Sequence, residues 1–333
     1  MSTTRPRAWT YAWLISLSLA VGATSLLVGA GDLADATLTE TLLSLRLTRV
    51  IAAGLAGAAL GVGGVIVQGL FRNPLASPEI IGTTSGANFG GHAVLLASEA
   101  LLVGRFPVLV SSALFLPIGS VAGALLALSV VLWVVKRRDD VVIVVVIGFL
   151  LSALFASMDG VITSLAQERW ELARAMLAFT LGDVSGATPR QILLALPMIG
   201  FGIVAAFMWA RPLDVLLSGE EEAATLGVHV PTARRWCVVW TALLTAGAVS
   251  LGGNVGFVGL VVPHVLRPFV GVAHRRLIPM AAIVGAAFVM GCDMIVRLVP
   301  TRSELPLGVV TGLVGAPIFF TLLMKLRIEG RNG

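Results

Sequence analysis

Charge is what this 333-residue sequence has least of. It carries 23 Lys and Arg and 18 Asp and Glu, 12% of the chain together, against 57% hydrophobic residues. Soluble domains carry about 25% charged residues, so a water-facing surface cannot be made from this inventory. Lysine occurs only at Lys136 and Lys325, and neither follows a glycine-rich turn; no G-x-x-x-x-G-K-[ST] run exists. That excludes a phosphate loop for nucleotide on this chain. The two cysteines, Cys237 and Cys292, stand alone inside apolar runs and read as packed free thiols without disulfide or metal spacing. The four histidines, His92, His229, His264 and His274, show no H-E-x-x-H or paired-ligand pattern, so no metal site is expected. His264 follows a proline near the end of an apolar run, where helix-end packing is the expected role.

What the chain has instead is apolar length, with a mean hydropathy of +0.96. Runs of ~20 apolar residues recur throughout, enough to cross a hydrocarbon core of ~30 Å as helices. Helices satisfy their own backbone in lipid where open sheets cannot. The fold class is therefore an all-α polytopic membrane protein. The spacing predicts spans near Trp9–Gly29, Val50–Leu70, Ile80–Leu102, Val108–Val135, Val141–Leu165, Gln191–Ala210, Leu277–Val299 and Leu307–Met324. The long stretch Trp236–Leu266 holds "SLGGNVGFVG" at its centre and reads as two short spans around a tight turn, making ten. With both termini cytoplasmic, 15 of the 23 Lys and Arg fall on the cytoplasmic side, among them Lys136, Arg137, Arg138, Arg234 and Arg235. That asymmetry is the positive-inside pattern. The net charge of +5 thus reads as membrane orientation, and nucleic acid is not an expected partner. A cleavable signal peptide is the rival reading of the first run, but the run exceeds the usual apolar core of such peptides and its loss would break the parity.

Gly57-x-x-x-Gly61, Gly82-x-x-x-Gly86 and Gly86-x-x-x-Gly90 lie on or beside spans, where small residues let helix backbones approach. Asp159 and Asp293 fall within spans, and an intramembrane carboxylate is a candidate for function. Asp293 has Arg297 four residues on and reads as an ion pair; Asp159 has no obvious partner.

One segment runs against the composition. "LLSGEEEAATLG", residues 216–227, places three glutamates in succession. Ser218 and Glu221 form the S-x-x-E pattern of a capping box. Glu220, Glu221 and Glu222 then occupy a first helical turn, where negative charge meets the positive end of the helix dipole. Ala223, Ala224 and Leu226 continue the helix and Gly227 can end it. This reads as a short, independently capped cytoplasmic helix suited to docking a partner; a plain solvated connector is the alternative.

Four stretches carry a resemblance: "RLTRVIAAGLAGAALGVGGVIVQGLFRNPLASPEIIG" (46–82), "SGEEEAATLGV" (218–228), "GFVGLVVPHVLRPF" (256–269) and "ELPLGVVTGLVGAPIFF" (304–320). In order and spacing, from about Arg46 to Lys325, they resemble the FecCD-type permeases, the membrane subunits of ATP-driven importers for iron–siderophores, haem and cobalamin. The resemblance implies a type II ABC importer permease fold over residues 1–333 as one transmembrane domain in a bacterial cytoplasmic (inner) membrane. It also implies a second permease subunit, expected as a homodimer, two ABC ATPase subunits and a periplasmic binding protein. ATP and Mg would be held by the ATPase; no cofactor is expected on this chain, and no enzyme activity.

By the same resemblance, Ser218, Gly219, Glu220, Glu221, Glu222, Ala223, Ala224, Leu226 and Gly227 form the coupling helix seated in the ATPase. Arg46, Arg49 and Arg297 match outer-face arginines that pair with glutamates of the binding protein. Thr48 stands where relatives usually have proline. Asn73, Pro74, Leu75, Val141 and Val142 match regions of the cytoplasmic gate. An iron–siderophore chelate is the expected cargo, with haem or cobalamin as alternatives. A proton-coupled secondary transporter is the rival class; it needs mid-membrane carboxylates or broken helices, and Asp159 is its candidate.

Overall fold

The computed structural model describes residues 8–29, 39–102, 115–137, 141–299 and 305–329. Those residues form thirteen α-helices and a 3-10 turn, with no strand among them. In chain order the helices are α1 (Ala8–Leu27), α2 (Thr39–Leu70), α3 (Thr83–Leu102), α4 (Phe115–Arg137), α5 (Val141–Ala166), α6 (Trp170–Leu181) and α7 (Pro189–Met208). There follow α8 (Ala210–Leu216), α9 (Glu220–Thr225), α10 (Val230–Gly252), α11 (Val258–Val270), α12 (His274–Leu298) and α13 (Leu307–Glu329). The 3-10 turn, Pro78–Ile81, leads into α3. A helix stands at each expected span. Seven of them, α1, α2, α4, α5, α7, α10 and α12, are long and apolar enough to cross a membrane. The chain termini lie outside the described residues.

The Trp236–Leu266 stretch is two helices, α10 and α11, broken at Gly253–Phe257. Gly253 takes a left-handed φ of 65°, and the Asn254 N–H donates to the Phe179 carbonyl of α6. With 13 residues, α11 is ~20 Å long at 1.5 Å per residue, shorter than a hydrocarbon core. Two helices escaped the sequence reading. α6 lies in what reads as a polar connector, because its 12 residues are flanked by charges and turn signals. α8 lies just past the end of the Gln191–Ala210 span, where its seven residues, with Arg211, Pro212 and Asp214 among them, read as a connector. The start of α7 carries a capping box, Thr188 with Gln191, and Pro189 in the first turn.

The centre is α2, whose residues from Ala52 onward are mostly buried. It packs against α12, α10, α11 and α7, while α3 lies along α4 and α5. Glycine sets these distances. A Cβ on Gly57 would meet the Gly285 carbonyl at 2.2 Å, and one on Gly61 the Ala281 carbonyl at 2.5 Å. The second pair of motifs does the same for α3 and α4: a Cβ on Gly90 would meet the Gly119 carbonyl at 2.2 Å. Without water to drive apolar association in lipid, this close backbone contact is what holds helices together. Cys237 and Cys292 are buried free thiols.

Candidate functional site

Two clusters contain the residues singled out by the sequence. The first is α9. It begins at Glu220, with Gly219 as its N-cap at φ 133°, and no side chain caps it. The expected Ser218–Glu221 capping box therefore does not form: the helix starts one residue late for Ser218, and glycine takes the extended left-handed entry that a serine would strain to adopt. The C-terminal end is as expected. Gly227 at φ 84° donates to the Ala224 carbonyl and Val228 to the Ala223 carbonyl, the two bonds of a Schellman motif.

The three glutamates are not equivalent. The Glu220 carboxylate accepts from Arg234 at 2.8 Å and lies 4.0 Å from Arg72. Arg234 belongs to α10 and its side chain is 2% exposed, so Glu220 fastens α9 to the bundle. Glu221 and Glu222 are exposed, as are Ala224 and Thr225, and Leu226 is 69% exposed. Ala223 is buried against Leu216 and Ala233. The outward face of α9 is thus Glu221, Glu222 and an apolar knob at Leu226. Next to it, Asp214 of α8 accepts from both the backbone N–H and Nδ1 of His274 at 2.7 Å, tying α8 to the start of α12. Sequence spacing gave no signal for either tie, since the partners lie far apart along the chain.

The turn after α2 lies on the same side. Asn73 Oδ1 accepts from the Leu75 N–H at 2.9 Å, an Asx turn that leaves Asn73, Pro74 and Leu75 exposed. Arg72 before it adopts φ 48°, an uncommon left-handed position for a bulky residue. Val142 sits in the first turn of α5, 66% exposed, and Val141 opens that helix.

The second cluster is at the opposite end of α2. Arg46 and Arg49 lie within α2 and not ahead of it. The Asp293 carboxylate, fully buried on α12, accepts from Arg49 at 2.8 Å and lies 3.1 Å from Arg297. The i, i+4 pair expected from sequence is therefore one half of a triad. Arg297 also donates to the carbonyls of Ser25 and Val28, and Arg46 to those of Leu27 and Gly29 at 3.0 Å each. The two guanidiniums thereby satisfy the open carbonyls at the C-terminal end of α1, where the helix dipole is negative. The structure brings the three arginines together, with their heads turned into the chain: Arg46 is 7% exposed, and the Arg49 and Arg297 side chains are 12% and 5% exposed.

Asp159, which had no obvious partner, has one. His92 of α3 is fully buried with Nδ1 2.7 Å from the Asp159 carboxylate, and its ring meets Phe179 edge-on. His264 is buried within α11, its ring edge-on to Phe319 at 5.7 Å. No group of three or more His, Cys, Asp or Glu is placed to hold a metal among the described residues.

A glycine-packed bundle of long apolar helices with a short helix docked on one end defines a multi-pass helical membrane protein. The chain belongs to the FecCD transport family, whose model matches residues 10–325. It is 35% identical over 287 residues to the Fe(3+) dicitrate transport system permease protein FecD of Escherichia coli, covering 86% of each chain. It is equally 35% identical over 287 residues to the cobalamin import system permease protein BtuC of Halobacterium salinarum, covering 86% of this chain and 74% of that one. A solved metal-chelate type ABC transporter in an inward-facing conformation matches with a TM-score of 0.83 at 27% identity, over 95% of this chain and 98% of that one. Equal identity to relatives named for different cargoes leaves the cargo unassigned.

Proposed function

We propose that this chain is the permease subunit of an ATP-driven importer for a metal chelate or a related bulky cofactor, with an iron–siderophore as the favoured cargo. Two copies enclose the pathway across ten spans each, with both termini cytoplasmic. An ATPase pair holding ATP and Mg docks on the cytoplasmic end, and a binding protein delivers cargo at the outer end. The observation that carries this reading is α9: a two-ended, stopped helix that fastens itself inward through Glu220 and presents Glu221, Glu222 and Leu226 outward. Such a rigid projection transmits the closure of a partner to the bundle, so that nucleotide shifts the population between inward- and outward-open states. The Asn73–Leu75 turn and the Val141–Val142 start of α5 serve as the cytoplasmic gate. Arg46, Arg49 and Arg297 form the outer docking end, where they first of all hold α1, α2 and α12 together. Arg49, the most exposed of the three, is the one placed to meet an acidic partner.

The test is co-purification with the cognate ATPase. Leu226→Asp with Glu222→Lys reverses the outward face and leaves the Glu220–Arg234 tie intact. The variant is expected to insert and fold normally, to retain about a tenth or less of the ATPase, since interface anchors carry most of the binding energy, and to lose cargo-stimulated ATP hydrolysis. Full ATPase recovery with normal stimulated turnover would overturn the coupling role.

A further inference from the structure

Glu79 stands in the 3-10 turn Pro78–Ile81, and it is exposed while Pro78 and Ile81 on either side are buried. Its depth can be read from its neighbours. A Cβ on Gly63 would lie 3.3 Å from the Pro78 ring, and one on Gly259 would meet that ring at 2.6 Å and the Leu60 carbonyl at 3.0 Å. Pro78 therefore packs at the level of Leu60–Gly63 on α2, ~10–15 Å along the axis from the Leu70 end. That is the middle of the apolar Val50–Leu70 stretch. α5 gives a matching level: a Cβ on Gly148 would meet the Ile80 carbonyl at 2.0 Å, and Gly148 is ~10 Å inside the helix start. A side chain that ionises is thus displayed on the bundle at mid-depth.

Intramembrane carboxylates face a bundle interior or a water-filled cavity. Glu79 is closely surrounded by protein, yet the residue is exposed, so it is not sealed into the bundle interior. Its near surroundings suit a polar face: the Ser77 side chain hydrogen-bonds to it, and the Gly256 backbone lies beside it at the start of α11. The N-terminal end of α11, with Phe257 at φ 67° as its cap, brings the positive end of a helix dipole to the same level. Among the described residues no cation pairs with Glu79.

We propose that Glu79 lines the hydrated translocation pathway and selects cargo by charge, favouring chelates that present a cationic or neutral face and disfavouring anionic ones. This rests on the pathway reading given above. In a pair of copies, two such carboxylates share the pathway and add their fields.

Gly256→Cys supplies a reporter thiol, because among the described residues a Cβ there would have only a Glu79 carboxylate oxygen within 4 Å, at 3.8 Å. The full chain in membrane vesicles is treated at about pH 8, several units above the ordinary carboxylate value. The probes are a trimethylammonium-bearing and a sulfonate-bearing methanethiosulfonate. Wild type, with its buried Cys237 and Cys292, is the blank. Both reagents are expected to modify Gly256→Cys, the cationic one faster. Adding Glu79→Gln changes each rate up to about fivefold, in opposite directions for the two reagents, and so lowers the cation-to-anion rate ratio by up to about twentyfold, as expected for loss of one charge within a few ångströms in water; Glu79→Asp preserves it. Modification by neither reagent, or a ratio that Glu79→Gln leaves unchanged, overturns the proposal. Labelling requires no ATPase, so a failure of ATP-driven uptake alongside intact, charge-selective labelling would count against the importer reading and not against Glu79.

Discussion

Asp293 has no exposed surface and carries two guanidiniums, Arg49 and Arg297, on its two oxygens. Removing one partner of a buried ion pair leaves an uncompensated charge, which costs about 3–5 kcal/mol. Asp293→Asn is therefore expected to lower stability by about 3 kcal/mol, read as a large fall in unfolding temperature in detergent. Arg49→Met added to it recovers part of the loss. A fall corresponding to less than about 1 kcal/mol would mean that the bonds of Arg297 to the α1 carbonyls hold this end without the carboxylate. Glu220→Gln provides the contrast: its side chain is 40% exposed, water screens what remains, and about 1 kcal/mol is expected. The Asp293–Arg297 half of this triad was legible because residues four apart share a helix face. Arg49, 244 positions away, was not, because helical spacing says nothing about which distant helix a face will meet. Asp159 looked solitary for the same reason, its His92 partner being on another helix.

Among the elements, α2 and α11 cross as tightly as α3 and α4: a Cβ on Gly64 would lie 1.9 Å from the Gly259 carbonyl, and one on Gly123 1.9 Å from the Gly86 carbonyl. Gly64→Ala must push the two helices apart, and overpacking of this kind costs about 1–3 kcal/mol or more. Gly160→Ala on α5 meets nothing within 4 Å and is expected to be neutral. Heat-resistance of the purified chain, compared for the two variants, checks the pair; equal stability would remove the close approach as a structural requirement. The sequence showed the helices well wherever apolar runs were long, and it showed the α10–α11 break through its glycines. It failed for α6, whose "WELARAMLAFTL" is too short and too charged at its edges to stand out by hydropathy. The entry to α9 slipped by one residue because Ser218 and Gly219 both make acceptable N-caps, and only the backbone chooses between them.

For the whole molecule, the proposed orientation rests on the distribution of Lys and Arg. A thiol at Gly186, in the turn between α6 and α7 where a Cβ would meet nothing within 4 Å, is expected to react with an impermeant reagent from outside intact cells. Thiols at Ser218 and Ala273 are expected to react only after the membrane is opened. Outside labelling at Ser218 would invert the topology and remove α9 from the ATPase. Fold class was legible because hydropathy is a sum over many residues. The clustering of side chains was not, because it depends on tertiary neighbours. The length of α11 also bears on how the chain is made. A helix of ~20 Å offers the insertion machinery too little apolar sequence to partition by itself. α11 must therefore enter as the second arm of a hairpin with α10, after α2 is already in the bilayer to receive Gly259. The order of synthesis, α2 long before α10, supplies that template, so the N-terminal half of the chain acts as the mould for the membrane entry of the C-terminal half.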